Sequence, residues 1–171
     1  QQLHTELRLS IPYSSTCPCS ASLSRQLLEQ AMQQHFQSQQ SITKAELSQW
    51  LLAHGSYATP HSQRSYATVR MQLNTQHAYP LTAIINTLEQ ALATPVQTAV
   101  KRQDEQEFAR LNGHNLMFCE DAARRMKQAL DTQPEITDFW LQAEHQESLH
   151  AHNAVAVATK GIANNPYQLL A

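Results

Sequence analysis

The sequence predicts an α+β domain in the order strand, strand, helix, helix, strand, strand, with a helical hairpin inserted after the first strand. Three observations carry that prediction. Apolar residues alternate with polar ones at Leu7, Leu9, Ile11 and Tyr13, at Ala67, Val69, Met71 and Leu73, and at Phe139, Leu141 and Ala143, and a period of two marks a half-buried strand. Leu81, Ile84, Ile85, Leu88 and Leu92 fall at helical spacing and make the cleanest amphipathic helix in the chain. The length, 171 residues, is that of one ordinary domain whose core can form without disulfide or metal staples.

Each element follows in turn. The first strand runs from Leu3 to Tyr13, with His4, Glu6, Arg8 and Ser10 between its apolar positions. The sequence opens at Gln1 without an initiator methionine, so it is expected to start inside a longer product. After Cys17-Pro18-Cys19-Ser20, the set Leu23, Leu27, Leu28, Met32 and Phe36 has helical spacing, with Ser20 or Ser22 as its cap. A glutamine-rich stretch to Gln40 reads as a solvated tail and loop. Thr43-Lys44-Ala45-Glu46 has the form of a capping box ahead of Leu47, Trp50 and Leu51, and Gly55 is a stop signal. Residues 22–54 therefore read as a helical hairpin, an insertion spanning about 21–56.

A second strand covers Tyr66 to Leu73, and the helix at Leu81 to Leu92 has Pro80 near its first turn. A short helix is expected from Asp104 to Leu111 and a longer one from about Phe118 to Leu130. Ile136 to Gln146 and Ala154 to Thr159 complete the strands. No internal repeat and no linker divides residues 1–171, which read as a single unit.

Composition narrows the function. Twelve basic against fourteen acidic side chains leave a net charge of −2, so no global positive field recruits nucleic acid or an anionic membrane, and an anionic ligand needs a local pocket. No apolar run approaches membrane-spanning length, and the start lacks the layout of a signal peptide. Three cysteines, two of them one residue apart, do not make a disulfide framework and fit a reducing cytoplasm. The unusual feature is nine histidines on a weakly charged chain.

Three clusters can carry chemistry: Cys17-Pro18-Cys19, His61-Ser62-Gln63-Arg64-Ser65, and Glu147-Ser148-Leu149-His150-Ala151-His152-Asn153, each at a strand end. A thiolate, an imidazole and a carboxylate arriving from different elements suit a catalytic transition-metal site that keeps one position open for water. Taken alone, Cys17 and Cys19 read more readily as inert, buried small side chains than as ligand or nucleophile. An extended His150-Ala151-His152 sends its two rings to opposite faces, and a pair of plain surface histidines is the other reading. Lys101-Arg102-Gln103-Asp104-Glu105 reads as a solvated turn with helix-start acids. Glu120 reads as an exposed first-turn acid. His4, His35, His54, His77, His114 and His145 receive no role.

Taken together and in order, Thr16-Cys17-Pro18-Cys19-Ser20, His61-Ser62-Gln63-Arg64-Ser65, Lys101-Arg102-Gln103-Asp104-Glu105, Phe118-Cys119-Glu120-Asp121 and Glu147-Ser148-Leu149-His150-Ala151-His152-Asn153-Ala154 resemble the GTP cyclohydrolase type IB family. The resemblance is to that family's C-terminal half and covers most of the chain. It implies the tunnelling fold, an antiparallel sheet whose strand and helix order agrees with the one above. It further implies hydrolytic opening of GTP at C8, giving formate and 7,8-dihydroneopterin triphosphate, the first step of tetrahydrofolate biosynthesis.

By the same resemblance, Cys17, His61 and Glu105 hold a divalent metal, Mn²⁺ or Zn²⁺ among others. Cys19, Glu120 and His150 line the site, and Glu147 anchors the guanine edge. Cys17 is the expected ligand, with Cys19 beside the substrate and Cys119 as packing. Arg64, Lys101, Arg102 and His152 are candidates for the substrate and its triphosphate by their chemistry. The family's habit implies a homo-oligomer, a tetramer of bimodular subunits, acting in the cytoplasm. Family members usually set the two metal motifs close together, whereas here the hairpin separates them; such an insertion is tolerated if its own ends stay close, and its other expected effects are to displace His61 from the metal or to act as a lid. The alternatives are a nitrile reductase of the same fold acting on a deazapurine, and an inactive purine- or metal-binding module.

Overall fold

The structure, a computed structural model, describes residues 5–74 and 81–161. Leu3, His4, His77 and Pro80 lie outside the described residues. The elements are β1 (Thr5–Thr16), α1 (Pro18–His35), α2 (Lys44–His54), β2 (Ser62–Leu73), α3 (Leu81–Leu92), α4 (Arg102–His114), α5 (Cys119–Asp131), β3 (Ile136–His145) and β4 (Ala154–Thr159). The strands form one open antiparallel sheet in the order β1-β2-β3-β4. This architecture is consistent with the tunnelling fold.

Strand alternation builds the core. Ile11 and Tyr13 on β1, Ala67, Val69 and Met71 on β2, and Phe139, Leu141 and Ala143 on β3 are all buried, as are Ile84, Leu88 and Leu92 of α3 and Ala122, Ala123, Met126 and Leu130 of α5. β4 alternates as well, with half-buried Ala154, Ala156 and Ala158 packed on the core and Val155 and Val157 exposed. No described helix is long and apolar enough to cross a membrane.

Several boundaries depart from the sequence expectation. β1 continues three residues past Tyr13 because Ser14, Ser15 and Thr16 pair with Arg64, Gln63 and Ser62, a polar stretch without alternation to announce it. β2 starts earlier for the same reason. α1 begins at Pro18 with Cys17 as its N-cap residue, not at Ser20 or Ser22, since proline at the first helical position loses no needed N–H. Ser20 Oγ instead accepts the backbone N–H of His61 at 3.1 Å. All three helices expected between β2 and β3 are present, one more than the strand, strand, helix, helix, strand, strand order counts, and α4 sits beside β1 with none of its residues buried.

The inserted hairpin is a small unit of its own. The capping box forms, with Thr43 N–H to Glu46 Oε2 at 2.8 Å and Glu46 N–H to Thr43 Oγ1 at 3.3 Å. Phe36 and Trp50 are buried, and the rings of His35 and His54 pack around Trp50. Leu23, Leu27, Leu51 and Leu52 remain exposed.

Burial separates two leucines sharply. Leu88 is fully buried and Leu52 is 87% exposed. Leu88→Ala is expected to cost about 2–5 kcal/mol in urea unfolding, and Leu52→Ala less than about 0.5 kcal/mol. Comparable losses at both positions would contradict the placement of the core.

Candidate functional site

At one end of the sheet the core-facing side turns polar on three neighbouring strands at the same register. Ile11, Ala67 and Ala143 make one apolar rung, and the next rung is Tyr13, Ser65 and His145, all buried. One step further Ser15 faces Gln63, also buried. These groups are satisfied internally: Ser15 Oγ and Ser65 Oγ are 2.8 Å apart, and Tyr13 Oη lies 3.0 Å from His145 Nε2. The first turn of α5 brings Cys119 and Glu120 to this layer, where Cys119 Sγ donates to Glu120 Oε2 at 3.3 Å.

Beyond the polar rungs lie the sequence-predicted residues. Cys17 N–H donates to the carbonyl of His61 at 3.3 Å, which sets the thiol-bearing and imidazole-bearing residues side by side on adjacent chain segments. His61 Nδ1 is 2.9 Å from Gln63 Oε1, and Gln63 Nε2 donates to Glu147 Oε1 at 3.2 Å. Glu147 leaves the end of β3 and is held again by its backbone N–H, which donates to Asn153 Oδ1 at 3.3 Å. Asn153 Nδ2 in turn donates to Glu144 Oε1 at 2.6 Å. Cys17, His61 and Glu147 are thus joined by one set of contacts.

Other predicted residues fall elsewhere. Ser14 and Arg64, paired in register, occupy the alternate positions of their strands and line a cavity of about 460 Å³ together with Glu105, Asp104, Val96 and Phe108. Glu105 is therefore not brought to Cys17 and His61. Among the described residues no group of three His, Cys, Asp or Glu side chains is arranged to hold a metal ion. The Cys17 thiol and the His61 imidazole, on adjacent segments, are the donor types that suit a borderline-soft divalent ion, and Glu105 is not grouped with them.

Lys101 is the N-cap residue of α4, Arg102 its first residue, and Asp104 accepts the Lys101 N–H at 2.8 Å, a helix start as the charge pattern suggested. Cys19, Glu120, His150 and His152 are exposed. The rings of His150 and His152 stack at 5.3 Å with planes 13° apart. They do not point to opposite faces, because residues 148–152 form bends and not an extended strand.

Three functional candidates carried no assigned role in the sequence. Tyr13 and His145 read as strand residues, although His145 continues the alternation of Phe139, Leu141 and Ala143 and so had to face inward. Gln63 stood inside a motif, but its reach to Glu147 depends on strand pairing.

Burial sets the protonation of this layer. It raises the Tyr13 phenol far above the tyrosine range and lifts the Cys119 thiol to about 11, with Glu120 adding to the latter. It pushes the His145 imidazole down to about 4, while the carboxylates of Glu147, Glu120 and Asp121 pull the other way without overcoming it. Tyr13 and His145 are accordingly neutral partners near pH 7.

The family of type I GTP cyclohydrolase folE2 matches residues 1–156. The chain is 53% identical over 162 residues to the GTP cyclohydrolase FolE2 of Hydrogenovibrio crunogenus, covering 94% of this chain and 52% of that protein. It is 59% identical over 157 residues to the FolE2 protein of Pseudomonas putida, covering 91% and 52%. With that of Pseudoalteromonas translucida the identity is 54% over 163 residues, 94% of this chain and 53% of the relative. The chain spans about half the length of the curated relatives it matches.

The depressed His145 makes a pH prediction. An unfolded histidine titrates near 6.5, so between about 4 and 6.5 the unfolded chain binds the proton more readily, and this contribution to stability is fully present above 6.5 and lost as pH falls toward 4. Urea unfolding at pH 5 is expected to show about 2 kcal/mol less stability from this group than at pH 7. His145→Gln, which cannot titrate, should reduce that difference. An unchanged difference would mean that His145 is not buried neutral.

Proposed function

The chain belongs to the type I GTP cyclohydrolase FolE2 family, and on that premise we propose that it forms part of a GTP cyclohydrolase of the IB type. The reaction opens the guanine imidazole ring at C8, releasing formate and yielding 7,8-dihydroneopterin triphosphate on the way to tetrahydrofolate. The observation that carries this reading is the run of hydrogen bonds from His61 through Gln63 to Glu147, beside Cys17. A carboxylate held in place, next to a thiol and an imidazole, has the chemistry to take a guanine at one end and activate water at the other.

Glu147 accepts two hydrogen bonds from the N1–H and 2-amino edge of guanine. A site built for such a polar match discriminates strongly, since losing it leaves a desolvated carboxylate. Cys17 and His61 are the pair that would hold a divalent ion, Mn²⁺ or Zn²⁺, whose chemistry is to supply hydroxide near neutral pH. His150 and Glu120 are the groups for moving the proton to the departing ring nitrogen, and Cys19 lies beside the substrate. Arg64, Lys101, Arg102 and His152 are the partners for the triphosphate. Glu105, on the cavity with Arg64, joins the metal only if α4 comes closer. The exposed Val155 and Val157 on β4 support assembly with further copies, since an open sheet edge invites pairing. Three cysteines without disulfide partners suit the reducing cytoplasm.

The full-length protein supplied with GTP and Mn²⁺ or Zn²⁺ is expected to release formate and to give a fluorescent pterin after oxidation. Absence of GTP-dependent formate across several divalent ions would overturn the reading. Glu147→Gln should lower kcat/KM by at least about 100-fold. Cys17→Ala should lose bound metal, whereas Cys19→Ala should keep metal and lose turnover, as measured by metal content and formate release on the same preparations.

A further inference from the structure

Gln63 is buried, and both ends of its amide are engaged, one on His61 and one on Glu147. The chemistry of the three groups fixes its orientation. An ionised Glu147 carboxylate can only accept, so the amide NH₂ must face it, and the amide oxygen must face His61. An amide oxygen can only accept as well, so the hydrogen of the His61 ring sits on Nδ1. In the neutral ring this leaves Nε2 with its lone pair. The backbone of His61 is held on both sides, its N–H on Ser20 Oγ at 3.1 Å and its carbonyl by the Cys17 N–H at 3.3 Å. The imidazole can therefore turn only about its own side-chain torsions, and Gln63 removes that freedom.

We propose that Gln63 is a positioning residue that couples the two halves of the site, fixing His61 with Nε2 as its free electron-pair donor while holding Glu147 for the nucleobase. The inference rests on the reading of Glu147 and His61 above and adds the connection between them. A histidine that binds a metal through one nitrogen is oriented by the bond its other nitrogen makes, and losing that bond weakens binding by about 10–100-fold. Here the orienting group is itself oriented by the Glu147 carboxylate.

Two substitutions separate the two bonds. Gln63→Glu keeps an acceptor for His61 Nδ1–H but loses the donor to Glu147 and sets a like charge beside it. Gln63→Leu, similar in volume, loses both. In the full-length protein, titration with Zn²⁺ is expected to show an affinity about 10–100-fold weaker for Gln63→Leu and within about threefold of wild type for Gln63→Glu. The KM for GTP should rise in both variants by about tenfold or more. Nitrogen NMR of the His61 ring, which needs neither metal nor substrate, should find the hydrogen on Nδ1 in the wild type and in Gln63→Glu, and a mixture of tautomers in Gln63→Leu.

Unchanged Zn²⁺ affinity in Gln63→Leu, an equal loss in both variants, or a wild-type ring protonated only at Nε2 would each overturn the coupling. A wild-type protein that binds Zn²⁺ as expected but does not turn over GTP would instead overturn the proposed activity and leave the coupling standing. Should Gln63→Leu fail to fold, the wild-type tautomer and the Gln63→Glu affinity decide the matter.

Discussion

The register of three antiparallel strands is the constraint on which the site depends. Tyr13 opposite Ser65, and Ser65 opposite His145, places the polar ends of β1, β2 and β3 at the same end of the sheet. A shift of one residue on β2 would turn Gln63 and Ser65 away from the core-facing side and bring Arg64 to it. The apolar rungs hold that register against such a slip, because it would turn Ala67, Val69 and Met71 out of the core. Core packing and the alignment of His61 with Cys17 are therefore two consequences of one arrangement.

Polar groups at such an end are costly unless each has a partner, since an orphaned buried donor or acceptor costs about 1–3 kcal/mol. The structure meets this with neutral pairs, hydroxyl to hydroxyl at Ser15 and Ser65 and phenol to imidazole at Tyr13 and His145. Charge is kept to the outer layer, where Glu147 and Glu120 are not fully buried. The sequence of layers runs from apolar, through neutral polar, to charged. The middle layer lets carboxylates sit close to a hydrocarbon core without being drawn into it.

Much of this was legible in the sequence, and what was not has definite physical causes. α3 was found to the residue because its apolar stripe repeats at 3.6 and nothing competes with it. The α2 cap was found because a capping box is local chemistry. The ends of β1 and β2 were missed because Ser14 to Thr16 and Ser62 to Ser65 are polar on both faces, and only pairing makes them strands. The resemblance pointed to Cys17, His61 and Glu147, and the structure joins them. It could not foresee that Glu105 would share a cavity with Arg64, because the lean of α4 against β1 is set by tertiary packing, nor that His150 and His152 would stack, because the segment bends where an extended one was assumed.

The hairpin between Cys19 and His61 shows why a long insertion need not spoil a site that depends on close geometry. Its cost is chiefly the entropy of closing the loop, which grows only with the logarithm of length. That closure is already made by the strands that flank it, since β1 and β2 pair up to Thr16 and Ser62 and the Cys17 N–H reaches the His61 carbonyl. Phe36 and Trp50 give the insertion a small interior of its own, so it draws no residue out of the main core. What it adds at the site is Ser20, whose hydroxyl holds the His61 N–H. The start of α1 thus anchors the backbone of His61, the residue that a long insertion at this point could have displaced.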